Sequence, residues 1–180
     1  MIRLLTVICL LVVANVTMAK EYALSSPNGR ISLKVNVDEY CTYSVFLGDQ
    51  QIINASPIAL ELDNGEVWGK DARVRKAKVT SHSQELTPVV QRKYAKIQDD
   101  YNQLTLSFKG YSLEFRAYDE GAAYRWVSAL KGAYKVKSER ASFVFPADHT
   151  TWFPEEESMF SHQEREYLKV NLSEVGSDRF

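Results

Sequence analysis

The sequence predicts an all-β fold, an antiparallel sandwich of two packed sheets. Three observations carry this. Apolar and polar residues alternate with a period of two in segment after segment. Gly- and Asn-rich turn signals separate those segments at short, regular intervals. No stretch after the first nineteen residues shows an apolar helical stripe over three turns. A chain of 180 residues supports one domain with a real core. The alternation implies one buried face per sheet, and two sheets bury those faces against each other.

The elements follow in order. Residues 1–19, MIRLLTVICLLVVANVTMA, read as a signal peptide: Arg3 is basic, Leu4 to Val13 is apolar, and Thr17 and Ala19 are the small residues before cleavage. The apolar run is short for a bilayer span. Cleavage after Ala19 is expected, with residues 20–180 as a secreted or periplasmic β-sandwich domain. Pro27-Asn28-Gly29 is a turn. Ile31, Leu33, Val35 and Val37 then share one strand face. TYSVFLGDQQII predicts a hairpin at Gly48-Asp49. PIALELDNGE predicts a strand followed by an Asn64-Gly65 turn. ARVRKAKVT and VVQRKYAKI alternate again.

The clearest block is NQLTLSFKGYSLEFRAYDEGAAYRWV, residues 102–127. Turns at Lys109-Gly110 and Asp119-Glu120-Gly121 join three strands into a meander. Short strands are expected at 133–138 and 142–145. PEEESMFSHQEREYLK, residues 154–169, predicts a helical turn, because Pro154 and the acids after it suit a helix N-terminus.

Composition excludes several classes of function. A net charge of −1 leaves no footprint for nucleic acid or an anionic membrane. Cys41 is the one cysteine after residue 19, so no internal disulfide or Cys/His zinc set forms. It reads as a small buried apolar residue. No Ser/His/Asp set, P-loop, dinucleotide fingerprint or HExxH motif is present. No catalytic residue is assigned.

Several polar and aromatic groups carry two readings. Asp119 and Glu120 read as turn residues. Arg116 and Arg125 read as partners of carboxylates, and Tyr118, Tyr124 and Trp126 as packing between sheets. Glu155, Glu156 and Glu157 match no calcium loop and read as a solvated face. Trp152 in TTWFP is either a glycan platform or an inter-domain packing patch. FSHQEREYLK, residues 160–169, gathers His162, Glu164, Arg165, Glu166 and Tyr167. It reads either as a surface turn with an ion pair or as a glutamate reaching a site built mostly by other residues.

Taken together, LSSPNGRISLKVNV, SPIALEL, YSLEFRAYDEGAAYRW, FPADHTTWFP and QEREY resemble the N-terminal domain of glycoside hydrolase family 97. This is the exported α-glucosidase and α-galactosidase family of Bacteroides-like bacteria. The resemblance implies a β-super-sandwich that packs on a catalytic (β/α)₈ barrel, and a fragment that lacks that barrel with its acid and base. It implies an oligosaccharide or polysaccharide substrate. It further implies a calcium ion in the site, one ligand being a glutamate in a Glu-x-x-Tyr pattern that Glu164 to Tyr167 matches. Glu166 is the alternative ligand. The rival readings are a free-standing carbohydrate-binding or adhesion sandwich, and a mutarotase-like sandwich using His162 and Glu164.

Overall fold

A computed structural model describes residues 20–90, 93–156, 158, 160 and 164–176. The first sheet contains β1 (Lys20–Ser25), β2 (Ile31–Val37), β3 (Cys41–Leu47), β4 (Gln50–Leu62) and β10 (Val136–Ala141) in that spatial order, and the short β5 (Val67–Trp68) also pairs with β4. The second is an antiparallel meander of β6 (Lys76–Leu86), β7 (Ile97–Ser107), β8 (Tyr111–Tyr118) and β9 (Gly121–Ser128). A separate two-stranded ribbon joins β11 (Thr150–Pro154) to β12 (Tyr167–Asn171). All these pairings are antiparallel. The expected two-sheet β-sandwich is therefore the architecture, and no closed barrel is present among the described residues.

Alternation fixes the register, because a one-residue slip would turn every buried side chain outward. On β2, Ile31, Leu33, Val35 and Val37 are buried, and on β8 so are Tyr111, Leu113, Phe115 and Ala117. These faces meet in one core that also takes Ile58, Leu62, Leu104 and Leu106. Cys41 is buried there as a free thiol, as its strand-like setting predicts.

The hairpin between β8 and β9 closes at Asp119-Glu120, with Tyr118 opposite Gly121. Asp119 Oδ1 accepts a 2.9 Å hydrogen bond from the Asn28 N–H. The acidic turn thus ties the meander to the turn before β2. Arg125 pairs with Glu114 at 2.7 Å. Among the described residues Arg116 forms no ion pair with a carboxylate. Its Nε donates to Gln103 Oε1 at 2.9 Å, and its guanidinium lies 4.2 Å from the centre of the Tyr101 ring. Tyr124 and Trp126 face the core beside Tyr43 and Trp68. Tyr118 instead packs on Tyr101, on the other face of the meander.

Three expected elements differ. Of VVQRKYAKI, residues 89–97, the described part before Ile97 is loop rather than strand, and β7 begins at Ile97. Segment 142–145 is not a strand, although Asn54 N–H donates to the Val144 carbonyl at 2.8 Å. The helical turn expected within 154–169 is absent among the described residues. Pro154 ends β11, and Tyr167 to Lys169 are extended in β12.

Candidate functional site

The ribbon builds the site. β11 and β12 are distant in sequence, yet Pro154 lies opposite Tyr167 and Thr150 opposite Asn171. The segments just past that end of the ribbon are Glu155-Glu156 on one side and Glu164-Arg165-Glu166 on the other. These five residues and Leu168 line one open cleft. Proline suits the end of β11 because it gives the ladder no N–H donor.

The opposite end of the ribbon is stapled. Asp148 accepts from the Ser173 hydroxyl at 2.7 Å and from the Ser173 N–H at 2.9 Å. These two bonds, the hydroxyl first, hold the Asp148 carboxyl below the usual aspartate range. The N–H of Asn171 donates to Glu174, and Leu172 N–H donates to the His149 carbonyl at 3.0 Å.

Within the acidic cleft, Arg165 Nε donates to Glu156 Oε2 at 3.1 Å. The Glu156 side chain is only 12% exposed, and its Oε1 is buried without a partner among the described residues. Arg165 therefore offsets one of the acids. Glu164 and Glu166 have no hydrogen-bond or ion-pair partner among the described residues. Glu157, His162 and Gln163 lie outside the described residues.

Calcium takes six to eight oxygen ligands. Among the described residues no group of three or more His, Cys, Asp or Glu side chains converges closely enough to hold a metal ion. Glu164, Glu166 and the unpartnered oxygen of Glu156 are carboxylate oxygens of the kind calcium takes, but the described residues alone make no site. The sequence pointed to Glu164 and Glu166 but not to Glu156. Its place in the same cleft depends on β11–β12 pairing, which local sequence does not encode.

Comparison with known proteins bears on what this arrangement belongs to. Residues 24–179 match the family described as Glycosyl-hydrolase 97 N-terminal. The chain is 31% identical over 182 residues to a retaining alpha-galactosidase of Bacteroides thetaiotaomicron, covering 96% of this chain and 27% of that protein. It resembles a beta-arabinopyranosidase structure with a TM-score of 0.72 and 21% identity, over 83% of this chain and 26% of that one. It also resembles a glycoside hydrolase family 97 enzyme from Pseudoalteromonas sp. strain K8 in complex with panose, with a TM-score of 0.64 and 21% identity, over 74% of this chain and 22% of that one. At such identities the two solved structures establish the fold alone. The chain spans about a quarter of the length of the relatives it matches. The family match extends over nearly all of the described sandwich and ribbon, and on that ground the chain belongs to glycoside hydrolase family 97, as its N-terminal region.

Proposed function

We propose that this β-sandwich serves an exported enzyme that hydrolyses α-glucosides or α-galactosides. Its role there is to position and complete a catalytic site whose acid and base lie in a separate barrel domain. The targeting segment read in residues 1–19 supports export. Family membership and the identity to a protein named as a retaining alpha-galactosidase support the substrate class.

The observation that carries the reading is the acidic end of the ribbon. Glu164 and Glu166 stand there without partners among the described residues, while Arg165 is taken up by Glu156. Glu164 is the carboxylate we assign to a shared calcium ion. Bound calcium would stabilise negative charge developing beside the glycosidic bond. The sandwich contributes rigidity. The Asp148–Ser173 bonds fix one end of the ribbon, and pairing along β11 and β12 carries that fixity to the carboxylates.

The test is Glu164→Gln in the full-length enzyme. Calcium affinity and kcat/KM should fall about tenfold to a hundredfold, the usual scale for weakening a metal's ligand environment. The melting temperature of the sandwich should not move, because Glu164 is exposed. Unchanged calcium affinity in Glu164→Gln, with loss in Glu166→Gln, transfers the role to Glu166. No change in either variant overturns the assignment.

A further inference from the structure

We propose that Ser56 and Tyr43 are positioning residues: they clamp the segment between β10 and the ribbon, and so set where the ribbon's acidic end stands against the sandwich. Tyr43 on β3 lies opposite Ser56 on β4. The ladder between β4 and β10 stops at Ala141, opposite Ile58. Pro57 comes next on β4 and has no N–H to give a partner strand. Past that point residues 142–149 lie outside any strand, and side chains take over from the ladder. The Val144 N–H donates to the Ser56 hydroxyl at 2.9 Å, and that hydroxyl donates to the Asn54 carbonyl at 2.8 Å. The Asn54 N–H donates in turn to the Val144 carbonyl at 2.8 Å. The Tyr43 hydroxyl donates to the Ser142 carbonyl at 2.9 Å.

Both anchors belong to the core. Ser56 and Tyr43 are buried, and the Tyr43 ring packs against Phe115 and Tyr124 of the meander. A hydroxyl in such a place is costly unless it is bonded. Among the described residues the Ser56 hydroxyl bonds Val144 and Asn54 alone, so its polarity serves this junction. The path from there to the ribbon is continuous. The Phe145 ring meets the His149 ring edge-on, with 6.2 Å between centres. Leu172 N–H donates to the His149 carbonyl, Asp148 accepts from Ser173, and β11 starts at Thr150. Among the described strands β11 and β12 pair only with each other, so no sheet ladder sets the ribbon's direction. The clamped segment sets it. A strand the length of β11 spans roughly 14 Å, so a tilt of about 10° at its root moves the far end by roughly 2 Å. Misplacement by about 1 Å can cost on the order of a hundredfold in rate.

The consequence for turnover rests on the function proposed above; the clamp itself does not. Ser56→Ala and Tyr43→Phe are made in the full-length enzyme, and each removes one hydroxyl while keeping the rest of the side chain. Amides of residues 142–145 and of Asn54 should exchange with solvent about tenfold faster, the scale of one lost hydrogen bond. Those of Tyr167–Asn171 should keep their protection, because the Asp148 staple is intact. On p-nitrophenyl α-galactoside or α-glucoside, kcat should fall about tenfold with KM nearly unchanged, the pattern of a group that matters in the transition state. Val35→Ala, in the core of β2, is the control for stability: it lowers the melting temperature but leaves kcat and exchange at 142–145 as they were. Unchanged exchange at 142–145 in both clamp variants overturns the proposal. Faster exchange with unchanged kcat overturns the positioning role, as does an equal fall in kcat in Val35→Ala. A fall in kcat in the clamp variants, when neither Glu164→Gln nor Glu166→Gln alters calcium affinity, upholds this inference and counts against the calcium assignment alone.

Discussion

Gly69 sits at φ +83°, and a Cβ built there would lie 2.8 Å from the Trp126 ring and 2.9 Å from the Ile58 carbonyl oxygen. The position joins both sheets: Cys41 N–H donates to the Gly69 carbonyl at 2.7 Å, and Gly69 N–H donates to the Tyr111 hydroxyl at 3.0 Å. Gly69→Ala should therefore cost at least about 2 kcal/mol, from left-handed strain plus a clash with backbone that cannot move away. A domain of this size should melt roughly 4–8 °C lower. Gly65, at φ +85° with nothing within 4 Å, is the control. Gly65→Ala should cost about 1 kcal/mol, from backbone strain alone. Equal shifts in the two melting curves would show that close approach is not what Gly69 provides. The Asn-Gly turn at Gly65 is legible from the dipeptide. The demand at Gly69 is not, because the ring that crowds it comes from a strand of the other sheet. Cys41 was legible as a buried thiol, since its neighbours in sequence already alternate.

At the scale of elements, strands whose alternate side chains enter the core could be read directly. β2 and β8 follow their apolar pattern residue by residue. VVQRKYAKI, residues 89–97, alternates just as plainly, yet Val89, Val90 and Tyr94 are exposed and outside any strand. Alternation alone does not decide: β6 is almost wholly exposed yet is a strand because it pairs along its length with β7. The start of β12 falls within the segment expected to form a helical turn, because Pro154 and the acids after it resemble a helix start and the pairing with β11 is not local. That Glu155, Glu156 and Glu164 line one cleft was hidden for the same reason. This ribbon should depend on the Asp148 staple. Asp148→Ala should speed amide hydrogen exchange across Tyr167–Asn171 while leaving the Ile31–Val37 amides protected. Acid should act in the same direction. The carboxyl is held below its ordinary range by Ser173, so its contribution is present above that range and is lost as pH falls through the lowered value. If β2 and β12 lose protection together, the ribbon is not an independent unit.

For the whole molecule, the buried core makes stability sensitive to alkali rather than to neutral pH. Burial pushes the Cys41 thiol from 9.0 up to about 12. Burial also raises Tyr111 from 10.0 to about 12, although the Gly69 N–H that it accepts opposes the shift. Tyr124 is raised further by burial, with Glu139 beside it. All three groups are neutral when protonated. Their folded values lie above their unfolded ones, so the stability they carry is complete below pH 9 and declines as pH rises toward 12. Cys41 alone contributes a slope of up to about 1.4 kcal/mol per pH unit across that window. Tyrosines that ionise equally in both states add nothing. Melting temperature should therefore be flat from pH 7 to 8.5 and fall steeply from pH 9 to 11. Cys41→Ala should lower the plateau, because it leaves a small cavity, yet flatten the decline, because one titrating group is gone. Tyr111→Phe should remove its share of the decline above pH 10 while weakening the Gly69 contact at every pH. A decline that keeps its full slope in both variants would mean that these buried groups are not the source, and that the two sheets part before the thiol and phenol are exposed to hydroxide.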